Sequence, residues 1–166
     1  RFDLTFPTTK LSDKIWSVGE VVIDPVTYRP RKNTDDPGMT TTPAFVFANA
    51  KAQRILGQNK DYKQGMLVVG PKKDIVLDSG LKRFPMNVAI YGWHEKSEGG
   101  KPIQGINVVD HICSYVDYSH GTRMIKRECL LNGKVANLLD IYQSPEYCSL
   151  VTRDGKPLSF LKYVQP

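Results

Sequence analysis

The chain has 166 residues, of which 40% are hydrophobic and 24% charged, and a formal net charge of +6. That is an ordinary composition for one domain with its own core, and no run of about 18 apolar residues exists that could span a bilayer. The basic residues are scattered, and the densest group, Arg29, Arg31 and Lys32, is broken by Pro30 and followed by Asp35-Asp36; with no zinc-finger spacing, Walker loop or RNA-binding aromatic signature, nucleic acid is not the expected partner.

In chain order, Pro7-Thr8-Thr9 reads as a helix entrance, with Leu11, Ile15 and Trp16 on one apolar face before Gly19. A short extended segment, Val21-Val22-Ile23, follows. Asp24 to Thr42 has little periodicity and much Pro, Arg, Asp and Thr, which predicts a long surface loop. Thr42 is placed as an N-cap with Pro43 at the first helical position, and Phe45, Ala48, Ala52 and Ile55 keep helical spacing up to Gly57. Met66 to Val69 and Ile75 to Leu77 are short apolar runs separated by Gly70-Pro71-Lys72-Lys73-Asp74, which predicts a hairpin-like pair of strands with a solvated charged turn.

Val88 to Tyr91 reads as a buried strand that delivers Gly92, Trp93 and His94 at its C-terminal end, and Glu95 to Gly105 reads as a turn-rich loop. Tyr115 to Tyr118 and Thr122 to Ile125 look extended, with Gly121 allowing a bend between them. Val135, Leu138, Leu139 and Tyr142 fit a third helix after Asn132-Gly133, stopped by Ser144-Pro145. The expected fold is α+β: a single domain over 1–166, with a central mixed or antiparallel sheet and about three flanking helices.

The chemistry concentrates late in the chain. His94, His111 and His120 are the only histidines, and Asp110, Asp117, Ser119 and Arg123 lie among or beside them. Histidine titrates nearest neutrality, and an adjacent carboxylate fixes its tautomer and makes it a better base. His120 or His111 oriented by Asp117 or Asp110 would then activate a water or a side chain, with Arg123 as an anion clamp. If the strand ending at His94 and the Thr122 to Ile125 strand are neighbours, these groups converge at one sheet edge. Ser119 reads either as a nucleophile or as a plain hydrogen-bonding serine, since no G-x-S-x-G elbow surrounds it. His94, His111 and His120 also present three imidazoles for a zinc ion, though their spacing matches no H-E-x-x-H template. Tyr91, Trp93, Tyr115 and Tyr118 interleave with the polar residues and suit a sugar ring, or are core; Lys73 is within reach of the same edge.

Ile90-Tyr91-Gly92-Trp93-His94 followed by Ser119-His120-Gly121-Thr122-Arg123-Met124 resembles the L,D-transpeptidase signature, in which a His-bearing strand precedes a Ser-His-Gly-Cys-x-Arg segment. Thr122 stands where that family has its nucleophilic cysteine, one residue is missing before the arginine, and the gap after His94 is long. Pro7-Thr8-Thr9-Lys10, Met39-Thr40-Thr41, Lys72-Lys73-Asp74, Tyr91-Gly92-Trp93-His94 and Asp117-Tyr118-Ser119-His120-Gly121 together resemble an uncharacterised bacterial protein family with no activity attached to it.

The expected function is a hydrolase-type site of His94, His111, Asp117, Ser119, His120 and Arg123 acting on a polar polymer such as cell-wall glycan or peptide. The alternative is a non-catalytic carbohydrate- or cell-wall-binding module with Tyr91, Trp93, Tyr115 and Tyr118 as its platform. No cofactor is required, zinc through the three histidines being the open option. Cys113, Cys129 and Cys148 form an odd set without C-x-x-C, read as one bridged pair and a free thiol or as three small buried side chains. Arg1-Phe2-Asp3-Leu4 has neither the charged start nor the apolar stretch of a signal peptide, so the chain reads as the C-terminal part of a longer or processed one, with an extracellular or periplasmic location expected.

Overall fold

The computed structural model describes residues 3–26 and 42–163. Strand β1 (Leu4–Thr5) leads into helix α1 (Thr9–Ser17), whose N-cap Thr8 accepts the Leu11 N–H at 3.3 Å. The side of α1 turned inward is not simply apolar. Its buried residues are Thr9 and Ser12, with Leu11, Ile15 and Trp16 only half-buried around them. A serine buried on a helix face against a sheet needs a polar partner there, so α1 carries the first structural pointer to the site.

Strand β2 (Val21–Val22) pairs in parallel with β3 (Val68–Val69), and helix α2 (Thr42–Gln58) buries Ala44 and Ala48 against Val21, Ile23 and Val26. Most of the long loop expected from Asp24 to Thr42 lies outside the described residues. The strand pairs expected around Gly70 do not form a hairpin, because β3 is taken by β2 while β4 (Lys73–Val76) enters a different sheet. Gly70, at φ +97, makes that change of direction beneath the Ile23 carbonyl. Lys72-Lys73-Asp74 is accordingly no solvated turn: Lys73 and Asp74 are both buried.

The central sheet has four strands in the order β6-β5-β4-β7. Strand β5 (Ala89–His94) pairs antiparallel with β4 and with β6 (Pro102–Asn107), while β7 (His120–Gly121) pairs in parallel with β4. The sheet is therefore mixed and the fold is α+β, as expected. Part of the expected loop from Glu95 to Gly105 is strand β6. Its Pro and Gly hide it from a propensity reading, but an edge strand with one unpaired side tolerates a proline. The strand expected over Val88 to Tyr91 does not neighbour the Thr122 to Ile125 segment, because β4 lies between β5 and β7. Tyr115 to Tyr118 forms no strand, and the second extended segment shrinks to β8 (Ile125–Lys126), paired with β1.

Asn132 and Gly133 adopt φ +51 and +78 and close a tight hairpin between β9 (Glu128–Leu131) and β10 (Lys134–Asn137). Two positive φ values in succession are what a two-residue hairpin loop needs, and Asn-Gly supplies them. Val135 is thus a strand residue, and the third helix starts later than its periodicity suggests, as α3 (Leu138–Gln143), capped by Asn137. A fourth, α4 (Cys148–Val151), follows. These helices enclose a core of Leu77, Leu138, Ile141, Tyr142, Val151 and Leu158. The hydroxyl of Tyr163 donates to the Val76 carbonyl and accepts the Ala89 N–H at 3.1 Å, joining β4 to β5 from the C-terminal segment. All three cysteines are free thiols.

A methyl group on Gly70 would stand 2.1 Å from the Ile23 carbonyl oxygen at a left-handed φ, whereas one on Gly57 meets nothing within 4 Å. Gly70→Ala is expected to lower the unfolding free energy by about 2–4 kcal/mol, and Gly57→Ala to raise it by about 0.5–1 kcal/mol by improving helix propensity. Urea denaturation of the two variants checks both signs; a neutral Gly70→Ala would contradict the turn.

Candidate functional site

Two consecutive residues of β4 point to opposite faces of the sheet, and each heads a separate polar cluster. Asp74 faces α1. It accepts the Ser12 hydroxyl at one oxygen and Arg123 Nε at 3.2 Å at the other. Lys73 faces the other way, with its ammonium 5.1 Å from the Trp93 ring centroid and its charge coupled to Asp117 and His120. The expected single constellation is therefore two.

His94 reaches the α1 side through a break in β5. In a regular strand residues 91 and 94 point to opposite faces. Gly92 and Trp93 sit at φ +96 and +58, with a register shift against β6 between Ile90 and Gly92, and this bulge brings His94 round to the face occupied by Tyr91. Their rings lie 5.8 Å apart, and both side chains reach the same carboxylate oxygen: Asp13 Oδ1 is 2.8 Å from His94 Nε2 and 2.8 Å from the Tyr91 hydroxyl. Arg153 binds the other Asp13 oxygen at 2.5 Å. Trp16 stacks on the His94 imidazole at 5.6 Å and 24°.

Burial opposes the Asp13 charge, but the hydrogen bonds from His94, Tyr91 and Arg153 and the Arg153 charge outweigh it and hold the carboxyl below the usual range. Asp13 is thus an ionised acceptor at neutral pH. The proton on the His94–Asp13 contact belongs to Nε2, which leaves Nδ1 as the basic nitrogen. Burial, and then the Asp13 carboxylate beside it, push the Tyr91 phenol up to about 12, so it acts as a donor.

His94 also lines a small pocket with Ser12, Trp16, Lys72, Asp74 and Arg123. It has about 10 Å³ of room, roughly that of one water. The Trp16 indole N–H, also buried, has no acceptor among the described residues. Ser12 gives its proton to Asp74, so its hydroxyl is oriented by a carboxylate rather than by the histidine.

On the opposite face, Asp117 accepts both the hydroxyl and the backbone N–H of Ser119, at 2.5 and 2.7 Å. Ser119 is fully buried and its proton is committed, so it is the hydrogen-bonding serine and not an exposed nucleophile. His120 lies 3.5 Å from Asp117 Oδ2, and both ring nitrogens are buried with no hydrogen-bond partner among the described residues. His111 stacks on Tyr115 at 4.2 Å, and its ring is 5.8 Å from that of His120. Asp110 is exposed and accepts the Asn107 side-chain amide at 2.6 Å. Tyr91, Trp93 and Tyr118 are buried and form no exposed platform, while Tyr115 is half-buried beneath His111. Among the described residues no three His, Cys, Asp or Glu side chains converge as metal ligands, so the three histidines are not one ligand set.

Of the residues singled out from sequence, His94, Arg123 and Tyr91 thus share one cluster, and His111, Asp117, Ser119, His120, Tyr115, Trp93 and Lys73 the other. Sequence reasoning missed Ser12, Asp13, Trp16 and Arg153 as site residues, and took Asp74 as part of a charged turn. The Asp13–His94 pair spans 81 positions, and only the polar residues on the inner side of α1 hinted at it. Comparison with protein-family models, curated proteins and solved structures found no match.

Burial drives the His120 imidazole down to about 4, against the pull of Asp117, with Lys73, His111 and Lys72 adding to the effect. The unfolded chain takes up this proton near pH 6.5, so between about 6.5 and 4 it binds more protons than the folded chain. Folding stability therefore falls as the pH drops through that window, by at most about 3 kcal/mol from this group. An NMR titration, with the signal assigned through His120→Gln, is expected to show a neutral ring down to about pH 4; a midpoint at or above the ordinary histidine value would contradict the burial.

Proposed function

We propose that the chain is a hydrolase in which His94, oriented by Asp13, is the general base that activates a water. The observation that carries this is the 2.8 Å contact of His94 Nε2 with an ionised Asp13, because it leaves Nδ1 as the basic nitrogen of a histidine that lines a pocket of water size. Ser12 keeps its proton on Asp74, so the reading needs no side-chain nucleophile. Water gives its proton to Nδ1 and attacks the scissile carbon. The resulting imidazolium, stabilised by Asp13, then protonates the leaving group. Arg123, which lines the pocket, supplies positive charge there for an anionic group or a developing oxyanion.

The pocket is too small to enclose a substrate, so the substrate lies across its rim, which suits a segment of a polar polymer. Cell-wall glycan or peptide is the substrate class, and an extracellular or periplasmic location goes with it. The neutral, buried His120 and committed Ser119 stay outside the chemistry in this reading.

The test is hydrolysis of peptidoglycan fragments and acidic polysaccharides by the purified protein. His94→Ala should lower kcat by about 100-fold or more and Asp13→Asn by about 10²–10⁴-fold, with Arg123→Ala acting mainly on KM. Gly92→Ala removes no functional group, but its methyl would stand 3.1 Å from His94 Cε1 at φ +96; it should lower kcat while His120→Gln leaves it within a few-fold. Turnover that survives His94→Ala would contradict the assignment.

A further inference from the structure

The opposite end of β4 opens onto a second cleft. From Asp74 to Asp78 the chain advances roughly 13 Å at strand rise, and there a cleft of about 680 Å³ is lined by Lys82, Arg83 and Lys156, by Phe84, Val109 and Pro157, and by the hydroxyl residues Ser79 and Ser159. That volume is typical of small-molecule sites.

Its electrostatics are one-sided. Three cations face one lining carboxylate, Asp78, and that group is occupied in accepting the Gly80 N–H at 2.8 Å. Nearby Asp154 accepts the Ser79 hydroxyl at 2.8 Å and the Lys156 backbone N–H at 3.2 Å, and so has a donor at each oxygen. Among the described residues none of the three cations makes an ion pair. Unpaired like charges around one cleft repel each other, and a bound anion offsets that repulsion. The wall between them is apolar and open, with Phe84 39% and Val109 55% exposed. Gly80 holds this wall close: a methyl there would stand 3.1 Å from Val108.

We infer that this cleft binds an anionic sugar of about one or two rings. The cations take the acid group, the C–H face of the ring lies on Phe84, Val109 and Pro157, and the serine hydroxyls meet ring hydroxyls. A single exposed aromatic at the cleft does not make the series of stacking faces that a single-stranded nucleic acid uses. The site is separate from the His94 pocket and its ligand need not be cleaved.

Calorimetric titration of the full chain tests this without any turnover assay, and so apart from the hydrolase reading. The probes are digalacturonate, glucose 6-phosphate, cellobiose as the neutral counterpart, and a dinucleotide. Either anionic sugar should bind at least about 10-fold more tightly than cellobiose, and which of the two binds better identifies the acid as carboxylate or phosphate. Lys82→Glu/Arg83→Glu and, separately, Lys156→Glu should each weaken that binding by about 10-fold or more, while Arg54→Glu/Lys60→Glu, the same charge change on and just after α2, should leave it within about two-fold. Absence of binding, equal affinity for cellobiose, tighter binding of the dinucleotide, or equal loss in the α2-side variant overturns the inference.

Discussion

Strand β4 organises the chemistry of this protein because its side chains alternate. Lys73 and Asp74 are adjacent and both buried, and a strand has no choice but to send them to opposite faces. Neither charge could be buried alone at tolerable cost. Each therefore requires partners on its own side: Ser12 of α1 and Arg123 for the carboxylate, the Trp93 face and the Asp117 carboxylate for the ammonium. Two polar clusters back to back across one sheet are the result, and their different fates follow from what else each face contains.

On the α1 face the cluster stays charged. Asp13 is half-exposed and takes donors from three directions, so it remains an anion, and the histidine beside it has a defined tautomer and a free nitrogen. On the other face His111 and His120 pack against Tyr115 and each other, and His120, whose ring nitrogens have no partner among the described residues, is disfavoured from taking a positive charge by burial and by the cations nearby. The same residue type is thus hydrogen-bonded to a carboxylate on one side and, as His120, packed as a neutral ring on the other. The bulge at Gly92-Trp93 decides which side His94 joins. A tryptophan at positive φ costs on the order of 1–3 kcal/mol, and it is held there by Lys73 over its ring and the Pro71 carbonyl accepting its indole N–H.

Much of the fold was legible from the sequence because it rests on local signals. The Thr8 cap of α1, the existence of helix α2 and the apolar run of β5 all read directly, and so did the α+β class. Elements whose placement depends on remote partners did not. Strand β3 pairs with β2 and not with β4, β6 is an edge strand disguised by Pro102 and Gly105, and Val135 follows helical spacing yet belongs to a hairpin that Asn132-Gly133 dictates. For the site, the region was legible and the grouping was not. Proximity in sequence joined His94 to His111 and His120, but the sheet separates them, and the carboxylate that matters to His94 comes from the first helix. A strand bulge that reverses the direction of one side chain has no clear mark in composition or period, although Gly92 within a buried strand was its one visible trace.

The protonation geometry of His94 decides whether its Nδ1 can take a proton from water. Long-range ¹H–¹⁵N correlation of the imidazole nitrogens at neutral pH measures it directly. A proton on Nε2 and a bare Nδ1 in the native chain, with that preference lost in Asp13→Asn, is the predicted result. A proton on Nδ1 with Nε2 bare, or a pattern unchanged by Asp13→Asn, would contradict the account.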